Sequence, residues 1–378
     1  MVEAPDIPLL LDPSHPLGEP FRSAIQDRIT TFLEEQESRL SELQPEVGTL
    51  VDLAARLLAG GKRLRPAFCA WGYVAAAGLG PVRDQTDATE PLLTAAASLE
   101  LLHGSALVHD DVMDGSDTRR GALSAHRELE GRHLADGRLG DPETFGRAGA
   151  ILLGDLLVMW SVEMLERAGL PAASVPGALA IAQSMRTEVT CGQYLDVAAQ
   201  SLALGSDPDA ELLAANRVVE YKSARYTVYR PAQLGAVIGG GSSTLLDALA
   251  AYGSPLGRAF QFRDDLLGVF GDPELTGKPV GDDLREGKRT VLIAAAMART
   301  DDSGRRLLSD RLGDPALDAA GVAALQQVIV DSGAHEAVES MIATYYDEAV
   351  AALAGPEISP AGRQGLTTLA AAAVHRST

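Results

Sequence analysis

Residues 99–121 read LELLHGSALVHDDVMDGSDTRRG, an apolar segment that ends in three carboxylates and two guanidiniums. On a helix, Asp110 and Asp114 lie one turn apart on the same face, and Asp111 lies about 100° around the axis. Neighbouring acids repel one another and Asp is a poor helix former, so this arrangement favours a cationic partner. The alternative is a solvated acidic helix face. Oxygen ligands of this kind suit Mg²⁺, which completes its octahedron with waters and substrate phosphates.

Basic residues follow and precede this acidic motif. Arg119 and Arg120 come directly after it, and the fork of a guanidinium matches phosphate oxygens. A second basic stretch, GGKRLRP, occupies residues 60–66, where two glycines allow close backbone approach to a ligand. Its three basic side chains are Lys62, Arg63 and Arg65. A basic turn at a helix junction is the structural alternative for this stretch.

A second acidic motif ends another apolar segment. Residues 260–271 read FQFRDDLLGVFG, and residues 277–290 read GKPVGDDLREGKRT, which adds Lys278, Lys288 and two further acids. Two acid pairs on separate helices, each beside basic residues, are hard to attribute to coincidence. If they face each other across a bundle, they would form two sides of a metal–diphosphate site.

Composition limits the possible partners. The 378 residues carry 32 Lys and Arg against 52 Asp and Glu, a formal net charge of −20, which disfavours nucleic acid and anionic membranes as partners. The first 16 residues lack the basic start and apolar run of a secretion signal. Asp155 and Glu163 interrupt the most apolar segment, so we expect no membrane span and a cytoplasmic protein. Cys69 and Cys191 are expected to be small buried side chains.

Apolar residues recur at helical spacing through most of the chain, and no series of alternating strands appears. Residues 1–20 are Pro-rich and aperiodic, which predicts an extended or disordered lead-in. Residues 121–142 are polar and predict an ordered flap at most. A single all-α domain over residues 21–378 is therefore favoured. Helices are predicted at about 21–43, 47–58, 67–77, 91–114, 143–168, 172–202, 208–238, 243–270 and 290–298, with shorter ones at 318–373.

Five separated stretches occur in the order typical of the trans-isoprenyl diphosphate synthases, the family that includes farnesyl and geranylgeranyl diphosphate synthases. The chain resembles this family from about residue 60 to residue 290. The resemblance implies an all-α homodimeric helical bundle around an elongated central cavity, in which prenyl chains grow by head-to-tail addition of isopentenyl diphosphate to an allylic diphosphate. The stretches are GGKRLRP (60–66), HDDVMD with RRG (109–121), GQYLD (192–196), YKSARY (221–226), and FQFRDDLLG with GKPVGDDLREGKRT (260–290).

The resemblance also implies roles for individual residues. The diphosphate of isopentenyl diphosphate would be bound by Lys62, Arg65, His103 and Arg120. Mg²⁺, about three ions per active site, would be held by Asp110, Asp114 and Asp264. The allylic diphosphate would meet Arg119, Lys222, Lys278 and Lys288, and Ser223 and Gln261 would line the reacting end. The expected catalytic set is Asp110, Asp111, Asp114, Lys222, Gln261, Asp264 and Asp265.

Some of these assignments have alternatives. Gly268 stands where many members of the family have a third aspartate; that acid is often the most distant from the metals, so we expect activity to survive. His103 alone would be read as a core histidine, but it lies two turns before Asp110 on nearly the same side of the helix. For Gln193 and Asp196, a role in helix packing is as plausible as contact with substrate.

The family resemblance places the control of product length below the first aspartate motif. Ser105 and Ala106 lie one turn deeper than Asp110, and both are small where farnesyl synthases carry a bulky aromatic residue. Leu102 and Trp71 are candidates for the floor of the cavity. We therefore expect geranylgeranyl diphosphate (C20) as product, with C15 and C25 or longer as alternatives.

Two other functions share parts of this pattern. A class I terpene cyclase would use the same fold and first acidic motif, but it does not need a second diphosphate site, for which Lys62, Arg65 and Arg120 argue. A non-catalytic subunit that modulates an active partner would be expected to lack metal ligands. The first acidic motif here is intact, so an active prenyltransferase is the favoured interpretation.

Overall fold

The computed structural model describes residues 10–43, 46–79, 85–201, 204–205, 207–272 and 280–375. The described residues are almost entirely helical, which confirms the all-α prediction. The helices are Glu19–Arg39, Gly48–Leu58, Leu64–Ala77, Gln85–Asp114, Ala125–Ala135, Pro142–Glu166, Val175–Gln200, Pro208–Val218, Arg230–Ile238, Ser243–Phe270, Asp282–Glu286, Val291–Arg299, Asp302–Arg311, Ala319–Asp331, Ala334–Ala352 and Pro360–Val374. A 3₁₀ turn spans Ser41–Leu43, a π-helical segment spans Val219–Tyr229, and strands Thr118–Arg119 and Ala122–Leu123 pair antiparallel.

The chain forms two compact units. The first comprises Met1–Leu179, Leu234–Ser242 and Ser359–Leu369. The second comprises Ala180–Gln233, Ser243–Ile358 and Ala370–Thr378. We call Gln85–Asp114 the first acidic helix and Ser243–Phe270 the second acidic helix; each lies in a different unit.

The first acidic helix is the centre of the first unit. It packs against Glu19–Arg39, Leu64–Ala77 and Pro142–Glu166. Gly104 permits the close approach of a further helix, Gly48–Leu58, because a Cβ atom there would lie 3.0 Å from Cδ2 of Leu58. Residues 95–102 are buried, whereas the last three turns keep a half-buried face. This face therefore carries the acidic end of the helix.

In the second unit, the second acidic helix packs against Ala334–Ala352 and against the π-helical segment Val219–Tyr229. Glycines allow these close approaches. A Cβ at Gly257 would lie 2.3 Å from Cα of Ala224, and one at Gly192 would lie 2.3 Å from N of Lys222. The π-helical segment is thus close-packed on two sides, and π-helical turns are frequent at functional sites.

Two helices, Thr89–Asp114 and Pro142–Glu166, are long and apolar enough to cross a membrane by length and composition alone. In the first, 72% of the apolar window is buried within the protein, and in the second 44%. Burial accounts for the apolar composition of the first helix, because core helices of globular proteins pass the same test. The cytoplasmic location remains a prediction.

The prediction for residues 121–142 was wrong in part. The segment begins with the second strand of the short hairpin, Ala122–Leu123, and continues as helix Ala125–Ala135. The buried face of this helix is made by His126, Leu129 and His133, at helical spacing. Two of these three residues are histidines, so apolar periodicity did not reveal the helix.

Two smaller differences concern the N-terminal segment and a cysteine. Residues 10–18 form turns in which Leu11 is buried and the carbonyl of Pro13 accepts a hydrogen bond from Thr368 at 3.0 Å. Residues 1–9 of the predicted lead-in lie outside the described residues. Cys69 is buried as expected, but Cys191 is exposed, because it lies on the solvent side of Val175–Gln200 beside Tyr194.

Candidate active site

A basic cluster surrounds His103 in the first unit. Burial and the positive charges of Arg65, Arg120, Arg119 and Arg63 hold the pKa of His103 well below its ordinary value. The imidazole is therefore neutral at pH 7 and able to donate one hydrogen bond. The structure thus brings together three of the four residues assigned to isopentenyl diphosphate. The fourth, Lys62, is exposed in the adjoining turn.

The turn that carries Lys62 is held by a buried ion pair. Arg63 Nη1 donates to Glu100 Oε2 at 2.5 Å, its Nη2 donates to the carbonyl of Leu58 at 2.6 Å, and both charged side chains are almost fully buried. Removing either partner would leave an uncompensated buried charge, which is strongly destabilising. Arg63 is therefore structural. Glu100 was missed by the sequence analysis, although an acid within the apolar stretch LELL was a signal.

Arg63 and Arg120 also share an uncommon backbone conformation. Within the described ranges they are the two non-glycine residues with positive φ, at 55° and 53°. Such strain persists where surrounding contacts impose it, commonly at ligand sites. The guanidinium of Arg120 lies over Gly61, 3.7 Å from where a Cβ would stand, and its Nη1 donates to the carbonyl of Leu57 at 3.3 Å. The glycine turn and Arg120 thus form one cationic surface.

The acids of the first motif separate into two environments. Asp110 and Asp114 are half-buried, whereas Asp111 is 2% exposed. Arg119 Nε donates to Asp111 Oδ1 at 2.9 Å, and its Nη2 donates to the same oxygen. Burial raises the pKa of Asp111, and these hydrogen bonds oppose the rise. Asp111 therefore anchors the hairpin, and a role for Arg119 at the allylic diphosphate stays a prediction.

The acids of the first motif suit a divalent cation that takes its remaining ligands from water and substrate. Among the residues that the structure describes, no three His, Cys, Asp or Glu side chains are grouped closely enough to hold a metal by themselves. Mg²⁺ does not require such a group, because it commonly takes one or two carboxylates and keeps waters and substrate phosphates. Asp110 and Asp114, half-buried and one turn apart, meet that requirement.

The residues assigned to product length occupy different positions. Ala106 is half-buried on the same helix face as His103 and Asp110, whereas Ser105 and Leu102 are buried. Trp71 is fully buried, and its ring packs on Gly365, where a Cβ would lie 2.0 Å from the indole Cε3. The role of all four residues in setting product length stays a prediction.

In the second unit, Lys222 is held by an acid. Its Nζ lies 2.5 Å from Oδ2 of Asp196, whose residue is 7% exposed. Gly192, one turn before Asp196, allows Val175–Gln200 to approach the backbone of Lys222. The stretches GQYLD and YKSARY therefore contact each other. GQYLD supplies Gly192, which allows the close approach, and Asp196, and YKSARY supplies Lys222.

A chain of hydrogen bonds orients Gln261. Ser223 Oγ donates to Gln261 Oε1 at 2.6 Å, and Gln261 Nε2 donates to Asp265 Oδ1 at 2.8 Å. Burial raises the pKa of Asp265 to about 8, with Gln261 opposing the rise and the nearby charges of Asp283 and Asp264 adding to it. Asp265 therefore accepts the hydrogen bond that orients Gln261. Its neighbour Asp264, the other acid of the pair, is half-buried.

Lys288 is one of the two lysines that the sequence predicts at the second motif. Its Nζ lies 2.6 Å from Glu286 Oε2 and 3.6 Å from Asp283 Oδ1. Lys278 lies outside the described residues. The site assignments for both lysines stay predictions.

Comparison with known proteins identifies the family. A family model described as polyprenyl synthetase matches residues 48–329, more than half of the chain.

The chain belongs to the polyprenyl synthetase family.

Similar proteins agree with this assignment. The chain is 40% identical to a geranylgeranyl pyrophosphate synthase from Corynebacterium glutamicum, solved with isoprenyl diphosphate and magnesium, with TM-score 0.89 over 97% of this chain and 100% of that one. It is 32% identical to a short chain isoprenyl diphosphate synthase from Methanothermobacter thermautotrophicus, over 76% of this chain and 80% of that protein. A geranylfarnesyl diphosphate synthase from Natronomonas pharaonis is 33% identical, over 84% of this chain and 87% of that protein.

As a polyprenyl synthetase, the protein is an enzyme that transfers prenyl groups. The family assignment agrees with the basic cluster around His103, for which a terpene cyclase has no use. Its relatives are named for products of several lengths, so the family alone leaves the product length open.

Proposed function

We propose that this polyprenyl synthetase condenses isopentenyl diphosphate with an allylic diphosphate, head to tail, to give geranylgeranyl diphosphate. The observation that carries the proposal is the arrangement of two charge sites on one face of the first acidic helix. His103 lies in a cluster of arginines, and Asp110 lies two turns further along the same face. One site suits a diphosphate directly, and the other suits a diphosphate that is bound through a cation.

Three aspartates, through Mg²⁺, and one lysine would bind the diphosphate of the allylic substrate. Asp110, Asp114 and Asp264 would hold Mg²⁺, about three ions in the active enzyme, which would neutralise charge on the allylic diphosphate. Lys222, fixed by Asp196, would hold the departing diphosphate as the C–O bond breaks. The charge on this group increases during ionisation, so these contacts act most strongly in the transition state.

The basic cluster would position the second substrate. Arg120, Arg65 and Lys62 would bind the diphosphate of isopentenyl diphosphate, and neutral His103 would donate a hydrogen bond to it. Its double bond then attacks the allylic cation, and a proton is lost from the adduct. The family chemistry assigns that proton to the released diphosphate. Apolar walls would exclude water, which would otherwise trap the cation.

The first acidic helix supports a C20 product. Below Asp110 the half-buried face presents Ala106, and burial becomes complete at Leu102, about 12 Å from Asp110 at 1.5 Å per residue. The small side chains of Ser105 and Ala106 leave room for a chain longer than C15. Leu102 would then limit the chain near C20.

We further propose a homodimer. Helix Pro142–Glu166 exposes a stripe of large apolar side chains, with Ile151 at 45%, Leu152 at 58% and Met159 at 62% exposure. Leu152 and Met159, seven residues apart, share one face of the helix, and Ile151 lies about 100° around the axis from Leu152. Exposed large apolar side chains of this kind are typical of interaction sites, and a two-fold axis would cover them with the same stripe of a second copy.

The test is a product assay. Wild-type enzyme with Mg²⁺, isopentenyl diphosphate and geranyl diphosphate should form a C20 prenyl diphosphate, and Asp110→Ala should abolish turnover. Asp136→Ala, on an exposed surface acid, is the matched control. A cyclised hydrocarbon from the allylic diphosphate alone would establish a terpene cyclase instead. Activity that appears only as stimulation of a partner enzyme would establish a regulatory subunit.

A further inference from the structure

The π-helical segment Val219–Tyr229 packs against two glycines of the second acidic helix. A Cβ at Gly253 would lie 2.5 Å from Cα of Tyr229, and one at Gly257 would lie 2.3 Å from Cα of Ala224. The two glycines are about one α-helical turn apart, and the two residues that they face are five apart, which is the hydrogen-bonding interval of a π-helix. The surface of the second acidic helix therefore matches one π-helical turn.

An ion pair closes a turn of the same segment. Arg225 Nε donates to Glu220 Oε1 at 2.9 Å, and Glu220 is 8% exposed. Residues five apart lie about 140° apart around an α-helix, whereas a π-helix brings residues at this interval together. The pair therefore stabilises π-helical winding over α-helical winding. Lys222 lies between its two members, so the direction of the lysine side chain depends on this winding.

Glu220 is also bound by the second acidic helix. Ser254 Oγ and Arg258 Nε, one turn apart on that helix, donate to Glu220 Oε2 at 2.8 Å and 2.9 Å. Burial raises the pKa of Glu220, but the hydrogen bonds from Arg225, Ser254 and Arg258 outweigh this effect and lower it. Glu220 is therefore a charged carboxylate at pH 7, and both of its oxygens accept hydrogen bonds.

Arg225 is bound by helix Val175–Gln200. Its Nη1 donates to Glu188 Oε1 at 2.8 Å. Glu188 lies about two turns before Asp196 on this helix, and Asp196 is the acid that contacts Lys222. The Arg225–Glu188 contact and the Lys222–Asp196 contact thus join the same two segments of the chain.

We propose that Glu220 is a positioning residue for Lys222. Its carboxylate holds Arg225 across one π-helical turn and fixes that turn to the second acidic helix. A turn wound in this way presents the Lys222 ammonium to Asp196 and to the departing diphosphate. The inference rests on the role of Lys222 in the proposed function, and it assigns to Glu220 an effect on the reaction that passes through Lys222.

The first test needs no turnover. The chain has four lysines, at positions 62, 222, 278 and 288, so mass spectrometry can follow the acetylation of each amine by acetic anhydride in the full-length enzyme. Glu220→Gln keeps an oxygen that accepts a hydrogen bond but loses the charge. It should raise the acetylation rate of Lys222 by at least about five-fold, because the amine is no longer held beside Asp196. The rate at Lys62 should not change.

Leu308→Ala is the control for a general loss of stability. Leu308 is fully buried in helix Asp302–Arg311, which packs on Val291–Arg299 and Ala319–Asp331. Its truncation should lower the melting temperature, as Glu220→Gln also should. Acetylation of Lys222 and kcat should stay within about two-fold of wild type in Leu308→Ala, because this change leaves the contacts of Glu220 in place.

The second test is a double-mutant cycle with Lys222. Glu220→Gln alone should lower kcat by about ten-fold and leave the KM for isopentenyl diphosphate within about two-fold of wild type. In a Lys222→Ala background, Glu220→Gln should lower kcat by less than about two-fold, because the group through which it acts is already absent. Steady-state kinetics of the four proteins measure this difference.

Three results would overturn the positioning role. They are unchanged acetylation of Lys222 in Glu220→Gln, equally fast acetylation of Lys222 in Leu308→Ala, and an equal loss of kcat from Glu220→Gln in both backgrounds. Failure of the proposed function is distinct, because an enzyme that forms no prenyl product would still show acetylation of Lys222 that depends on Glu220. Conversely, a productive wild type with unchanged acetylation of Lys222 in Glu220→Gln would refute the positioning role alone.

Discussion

Lys222 and Asp196 form an ion pair of 2.5 Å that joins the π-helical segment to the neighbouring helix Val175–Gln200. Asp196 is 7% exposed, and the side chain of Lys222 keeps 23% of its surface. The acid is thus the inner partner and the lysine the outer one. This arrangement favours a role for Asp196 in orienting Lys222 over direct contact with the substrate.

Asp196→Asn should lower kcat by roughly ten- to a hundred-fold, because a charged hydrogen bond worth about 1.5–3 kcal/mol no longer holds Lys222. The KM for isopentenyl diphosphate should change little, since the basic cluster around His103 includes neither residue. Steady-state kinetics measure both quantities. Asp209→Asn, on an exposed acid, is the control. A raised KM for isopentenyl diphosphate at unchanged kcat would contradict this role.

Arg120→Ala should chiefly raise the apparent KM for isopentenyl diphosphate, by roughly ten- to a hundred-fold, because a charge-assisted contact to its diphosphate is lost. Arg132→Ala removes a guanidinium that contacts Glu128 in helix Ala125–Ala135, and it should leave the KM unchanged. Unchanged kinetics in Arg120→Ala would remove this residue from the substrate site.

Ala106→Phe should shorten the main product, because the new ring would fill the half-buried face one turn below Asp110. Leu102→Ala should lengthen it if Leu102 forms the floor. Trp71→Ala should lengthen it only if the indole also faces the cavity; its packing on Gly365 predicts a stability loss of about 3–5 kcal/mol in any case. Chromatography of dephosphorylated products measures chain length. An Ala106→Phe enzyme with unshortened products would place the floor elsewhere.

Acid should destabilise the second unit through Glu220. Burial alone would raise the pKa of Glu220, but hydrogen bonds from Arg225, Ser254 and Arg258 outweigh it and lower the pKa below 4.5. A depressed carboxyl pKa adds stability above the unfolded pKa of about 4.3, and this stability is lost as pH falls through the folded pKa. Glu220→Gln should therefore be less stable at pH 7 and lose less between pH 5 and 3. The measurement is the melting temperature of both proteins between pH 5 and pH 3. An equal change in wild type and Glu220→Gln would refute the role assigned to Glu220.

Leu152→Asp should convert the dimer to a monomer, because a charge would be buried in the apolar interface. Sedimentation at micromolar concentration should show wild-type enzyme at about twice the chain mass of 39.6 kDa. Leu139→Asp changes an equally apolar residue that is 97% exposed and lies outside the stripe, so it should remain dimeric. A stable wild-type monomer would exclude the proposed interface.

Much of the helical architecture was predictable from sequence. The second acidic helix was expected at 243–270 and is Ser243–Phe270, because its apolar residues recur at helical spacing over the whole length. The first acidic helix begins at Gln85, six residues before the predicted start, so Pro91 lies inside the helix and not in its first turn. Helix Ala125–Ala135 was missed because histidines form most of its buried face.

The sequence by itself determined the helical class, the two acidic motifs and the basic stretches, because periodicity and spacing along a helix are local properties. Only the tertiary structure decided which charges meet. Arg63 turns inward to Glu100, Arg119 to Asp111, and Lys222 to Asp196, and Asp283 fills the space at Gly268. These partners come from different segments of the chain. Their pairing depends on how buried helices and turns pack, which no local pattern of residues encodes.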